Sequence, residues 1–201
     1  MKNELMIDIE TTGTAPGCKV LSLGAYGFNR LGNPVEFYCR FDAAKMDADG
    51  LRDDESTMNF WGNQGREAFE EAFSGKTDPA EGIGEFKHWF IKNFSTDYGS
   101  GFRVWCCGID FDFPILKYFF KQYGYGEMWP FWTQYDYRTI KNIFARIKAD
   151  ECNVSKHTAF EDAKAQMRGL QSFYERLMSE KSVMLDVHLV NPDTKTLLGA
   201  C

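Results

Sequence analysis

The chain lacks any apolar run long enough to cross a membrane as a helix. Nowhere in its 201 residues does a hydrophobic stretch approach the roughly 20 residues that a bilayer demands. Glu4 stands where a secretory leader would carry its apolar segment, so the expectation is a cytoplasmic protein with no membrane contact. Six cysteines occur, at 18, 39, 106, 107, 152 and 201, but none form C-x-x-C, and no Cys/His spacing suits zinc. Cys106 and Cys107 fall in an apolar run and read as reduced core or near-core residues. Asn93-Phe94-Ser95 and Asn153-Val154-Ser155 match the glycosylation pattern, which carries no weight without a leader. A basic excess is also missing: 23 Lys and Arg face 29 Asp and Glu, for a net charge of -6. That argues against a sequence-reading nucleic-acid binder with a basic surface. It does not exclude an enzyme that holds nucleic acid through bound metal ions.

Nucleotide-binding and hydrolase signatures are absent as well. There is no G-x-G-x-x-G and no G-x-S-x-G. Ser74-Gly75-Lys76-Thr77 looks like the end of a phosphate loop, but Glu70 occupies the position where that loop requires its first glycine.

What is present describes a packed α/β globule. Hydrophobic residues make up 44% and aromatics 16% of the chain, enough for one domain spanning 1–201. Residues 4–10, 19–29 and 35–42 read as strands, with Gly32-Asn33 turning the second into the third. A polar stretch from Asp47 to Glu55 precedes helical patterns that begin near Ser56 and include Glu67–Phe73 and Ala80–Phe94. Residues 102–107 read as a short strand, Pro114 opens a helix that closes at Gly124, and Asp136 to about Lys148 reads as another helix. Thr158-Ala159-Phe160-Glu161 is a capping box, followed by an apolar stripe from Ala159 to Leu177 at helical spacing. Residues 183–190 read as a strand turned back by Asn191-Pro192-Asp193, and 180–201 as a C-terminal extension.

Three acidic motifs stand out. Asp8 and Glu10 lie two apart on the first strand and therefore point to the same face, which is costly in a buried element unless a cation meets them. Asp110 and Asp112 follow the strand that ends at Gly108. His157 and Asp162 flank the start of the late helix. Each has a bland account of its own: a solvated edge strand, a helix cap favourable by roughly 0.5–2 kcal/mol, a first-turn acid near the helix dipole.

Taken in order, D-x-E on a strand, an acid after a glycine turn and H-x-A-x-x-D opening a helix resemble the DEDDh class of DnaQ-like (RNase T-like) 3′–5′ exonucleases. The segment Trp105 to Leu116, Ser56-Thr57 through Asn63-Gln64, and Asp136-x-Arg138-Thr139 are similar to the bacteriophage DexA type. The resemblance implies an RNase H-like central mixed β-sheet flanked by helices, in a bacterium or a phage-infected host. It implies Asp8, Glu10, Asp112 and Asp162 as ligands of two Mg²⁺ or Mn²⁺ ions, and His157 as general base. Asp112 is preferred to Asp110 because Phe-Asp precedes the Pro-Ile-Leu run. Main chain at Thr11 and Thr12 would meet the terminal nucleotide, and Phe111 and Trp61 would stack on bases, with core packing the alternative for both.

Such carboxylates suit hard divalent ions, which stabilise the charge that phosphodiester hydrolysis develops. The implied substrate is single-stranded nucleic acid with a free 3′ end, DNA placed ahead of RNA, giving nucleoside 5′-monophosphates. The alternatives are an exoribonuclease trimming RNA or oligoribonucleotides, a non-catalytic binding module on the same fold, and dispersed surface acids on an unrelated α/β domain. The oligomeric state is open, a homodimer included.

Overall fold

The computed structural model describes residues 1–94, 101–143 and 158–190, with the backbone alone over 180–190. Five strands form one mixed sheet: β1 (Glu4–Thr11), β2 (Val20–Phe28), β3 (Pro34–Arg40), β4 (Arg103–Cys106) and β5 (Gln134–Asp136), in the spatial order β3-β2-β1-β4-β5. β1 pairs antiparallel with β2, and β2 with β3, because short turns join them. β4 and β5 run parallel to β1. This is an RNase H-like arrangement.

Between β3 and β4 lie α1 (Ala43–Ala48), α2 (Glu55–Asn63), α3 (Arg66–Phe73) and α4 (Pro79–Asn93). Asp42, Asp54 and Asp78 cap α1, α2 and α4 through their carboxylates, satisfying backbone N–H groups that a helix start leaves free. α5 (Asp112–Gln122) follows β4, α6 (Tyr137–Ile143) follows β5, and α7 (Ala159–Val190) ends the described fold.

Strand alternation divides the packing. Leu5, Ile7 and Ile9 of β1 face the main core with Phe86, Phe90, Phe119 and their neighbours from α4 and α5. Met6 faces the other way, into a second cluster with Trp105, Tyr137, Ala163, Met167 and Leu170. Glu4 shares that face, almost fully buried, where the Arg103 guanidinium and the Trp105 indole N–H satisfy it. Asp8 and Glu10 continue the row toward the strand's C-terminal end.

Three expectations need correction. The helix read from Asp136 begins at Tyr137, because Asp136 is the last residue of β5 and caps the helix by accepting from the Thr139 N–H at 3.1 Å. Residues 144–148 of that reading lie outside the described residues. The 183–190 segment is not a strand but the continuation of α7: an established helix propagates readily, and no proline interrupts it before Pro192. Asn191-Pro192-Asp193 lies outside the described residues. Finally, helical structure starts ahead of the Asp47–Glu55 polar stretch and not first near Ser56: α1 (Ala43–Ala48) is a short helix that depends on the Asp42 cap and the buried Met46. Among the described residues, no helix is long and apolar enough to cross a membrane.

Candidate active site

Asp8 and Glu10 project from the same face of β1, and α7 brings Asp162 to them. One carboxylate oxygen from each of the three lies within 4.8 Å of the other two. The approach depends on Gly24 of β2, which pairs with Asp8 across the sheet. The backbone of Ala159 and Phe160 lies directly on Gly24: a Cβ there would sit 2.2 Å from the Ala159 carbonyl carbon. The missing side chain therefore seats the start of α7 on the sheet, and Asp162, in the first turn, faces the strand acids. Thr158 holds that turn, its hydroxyl oxygen accepting from the Glu161 N–H at 3.4 Å and its carbonyl from the Asp162 N–H at 3.0 Å.

Asp112 comes from the turn that follows β4, the parallel neighbour of β1. β4 ends at Cys106, the chain turns through Gly108 at a φ of 139°, and Asp112 opens α5 at 3% exposure. A positive φ of this kind favours glycine. The turn also leaves room for Arg138, whose guanidinium lies against Gly108 and donates to the Cys107 carbonyl at 2.6 Å. The Asp112 carboxylate accepts from the Cys106 thiol and the Ile9 N–H, and feels the Arg138 charge. Asp110, two residues earlier, is exposed and lines a cavity of about 450 Å³ with Phe113 and Phe131.

The four acids share one electrostatic field. Burial holds Asp8 well above the ordinary carboxylate range, and Asp112, Glu10 and Asp162 push it further the same way. Glu10 is raised to about 7 by burial and by Asp162 and Asp112. Burial raises Asp112 too, against its hydrogen bonds and Arg138. At an effective dielectric near 20, two carboxylates ~5 Å apart repel by roughly 3 kcal/mol, so the cluster asks for a cation. An all-oxygen donor set of carboxylates fits Mg²⁺ or Mn²⁺ and not a soft metal. Asp8, Glu10 and Asp162, with Asp112 beside them, are the residues that would hold such ions.

Other expected residues fall in different places. Thr11 and Thr12 are buried where β1 bulges. The Thr12 N–H donates to the Lys19 carbonyl at 3.1 Å, and its carbonyl accepts from the Asp54 N–H at 2.8 Å. Phe111 precedes α5 and packs partly against the main core. Trp61 is 1% exposed and offers no face to a base. Its indole N–H donates instead to the Thr11 carbonyl at 2.8 Å, so burial makes it a support for the β1 terminus. His157 lies outside the described residues.

Two residues at the site escaped the sequence reading. Gln166 donates to Asp8 Oδ1 at 2.8 Å. Its spacing of four from Asp162 on a helix was the available signal. Tyr38 is partly exposed, pairs with Gly24, and its ring lies 5.9 Å from that of Phe160. Burial raises the Tyr38 phenol, and Glu71 and then Glu10 add to it against the Ser22 hydrogen bond and Arg40. No sequence signal marked Tyr38, because only strand register brings it there.

The mixed sheet with flanking helices is the fold that the resemblance to DnaQ-like exonucleases implies. The family of 3′-5′ exoribonuclease Rv2179c-like domains matches residues 3–174, and the chain belongs to that family. The family takes its description from a 3′-5′ exoribonuclease, and the match stops short of 180–201.

Solved structures share the fold at low identity. E. coli Exonuclease I in complex with a dT13 oligonucleotide is 14% identical, with a TM-score of 0.60 over 92% of this chain and 43% of that one. An ExoI/SSB-Ct complex is 13% identical, with a TM-score of 0.58 over 86% of this chain and 41% of that one. Cell-death related nuclease 4 (CRN-4) is 14% identical, with a TM-score of 0.53 over 86% of this chain and 64% of that one. The chain thus spans less than half the length of the exonuclease I chains it resembles. No curated protein matches it in sequence.

Proposed function

We propose that the chain removes nucleotides one at a time from the 3′ end of single-stranded nucleic acid by metal-dependent hydrolysis, releasing nucleoside 5′-monophosphates. The observation that carries this is the meeting of Asp8, Glu10 and Asp162 within 4.8 Å on a fold of this class. Asp8, Glu10, Asp112 and Asp162 hold two Mg²⁺ or Mn²⁺ ions. When bound, such ions stabilise charge on the attacking and leaving oxygens of phosphodiester cleavage. His157 takes the proton of the attacking water, a role its near-neutral pKa suits. Main chain at Thr11 and Thr12 bounds the space for the terminal nucleotide, with Phe111 at its side.

RNA is the first reading of the substrate. The sequence expectation put DNA ahead, but the family takes its description from an exoribonuclease, which favours RNA. DNA is the second reading, supported by the dT13 bound in one structural neighbour. The closer likeness to DexA-type enzymes, and a cytoplasmic setting in bacteria or phage-infected cells, belong to the same proposal.

Matched RNA and DNA oligomers, labelled at either end and incubated with Mn²⁺, Mg²⁺ or chelator, test it. A 5′-labelled strand should shorten stepwise in metal, RNA faster than DNA. Endonucleolytic products, or no products from either polymer, would refute it.

A further inference from the structure

The Gln166 side chain is only half occupied. Its Nε2 donates to Asp8 Oδ1 at 2.8 Å, while its Oε1 is buried and accepts no hydrogen bond. A buried amide oxygen left unpaired is costly, so such an atom calls for a partner that the protein does not itself supply. Turning the amide over would set an acceptor against Asp8 whenever that carboxylate is ionised, as it is when it holds a cation. Gln166 lies one helical turn beyond Asp162, on the same face of α7, and its amide is seated on Asp8 of the acid cluster.

We propose that Gln166 is a fifth oxygen-bearing member of this site. Its N–H fixes the Asp8 carboxylate, and its Oε1 serves as a neutral donor to a divalent cation held by the acids or to that cation's hydration shell. Hard cations take amide oxygens alongside carboxylates in their ligand sets. A neutral ligand also adds nothing to the mutual repulsion that already raises Asp8 and Glu10. Gln166 is thus a positioning residue with a direct stake in metal affinity. This rests on the metal-dependent reading above.

Calorimetric titration of Mn²⁺ into the wild-type protein, Gln166→Leu and Gln166→Glu tests it, with kcat and KM measured on a labelled oligonucleotide at saturating Mn²⁺. Gln166→Leu should bind Mn²⁺ about 10–100-fold more weakly, the loss typical of groups that orient ligands. Its KM for the oligonucleotide should stay within about twofold, since substrate binding is untouched. Gln166→Glu restores an oxygen but not the donor to Asp8. It should bind Mn²⁺ at least as tightly as wild type, while its metal-free melting midpoint falls because a fifth carboxylate joins the cluster. A residue that only props Asp8 in place would leave Gln166→Glu as weak as Gln166→Leu. That result overturns the proposal, as does a Gln166→Leu protein with wild-type Mn²⁺ affinity. Should Gln166→Leu fail to fold, weakened Mn²⁺ binding by Gln166→Glu alone overturns it. A wild-type protein that neither binds Mn²⁺ nor hydrolyses the oligonucleotide sinks the metal-dependent reading itself, and this proposal with it.

Discussion

Gly24 and Ala159 meet main chain to main chain, and Gly24 is the residue that pairs with Asp8 across β1 and β2. Asp162 reaches the strand acids because of that contact. In Gly24→Ala the new methyl would fall 2.2 Å from backbone atoms that cannot rotate away. The start of α7 must lift, taking Asp162 with it. A displacement near 1 Å is enough for about a 100-fold loss of activity, and overpacking should cost about 1–3 kcal/mol of stability. Gly24→Ala with wild-type turnover and an unchanged urea midpoint would show that the contact does not position the site.

Much of this site could be read from the sequence, for identifiable reasons. Asp8 and Glu10 follow from strand alternation alone, and Asp162 from a capping box that fixes where α7 begins. Asp112 follows a glycine turn, which puts it at a helix start. Trp61 could not be placed, because an isolated tryptophan on an amphipathic helix suits either a core or a base, and only the Thr11 carbonyl decides. β5 is three residues long and merges into the cap of α6, so local pattern does not separate them. Tyr38 and Gly24 matter through register between neighbouring strands, which no periodicity within a single strand records.

The metal-free protein should lose stability as pH rises. Glu10 holds its proton up to about 7 in the fold, against an ordinary value of 4.5, and Asp8 and Asp112 are raised as well. The folded state therefore binds protons more tightly than the unfolded chain. The stabilisation is full below about pH 4 and is lost progressively as pH rises through about 7. Urea melts in chelator from pH 5 to 8 should show a falling midpoint, and Mn²⁺ should restore it most at the alkaline end. A midpoint that climbs over this range in chelator contradicts the cluster.

Asp162→Asn should separate stability from function. It removes one of three carboxyl groups that lie within 4.8 Å of one another and repel when ionised together. Each such pair repels by roughly 3 kcal/mol at an effective dielectric near 20. The variant should melt higher than wild type without metal, gain less from Mn²⁺, and lose turnover. A lower metal-free midpoint would mean that Asp162 is held by favourable contacts instead.

Trp61→Phe keeps an aromatic ring but takes away the donor to the Thr11 carbonyl. Leaving that buried carbonyl unpaired should cost about 1–3 kcal/mol by urea denaturation. A base-stacking tryptophan would behave the other way, with stability kept and KM for oligonucleotide changed.

The central claim is that Asp8, Glu10, Asp112 and Asp162 form a metal-dependent site that degrades nucleic acid from its 3′ end. The most direct measurement is the time course of a 5′-labelled single-stranded RNA with wild-type protein and with Asp112→Asn, in Mn²⁺ and in chelator. The account predicts a ladder that shortens one nucleotide at a time only for wild type in Mn²⁺. Equal degradation by Asp112→Asn, or degradation that persists in chelator, would contradict it.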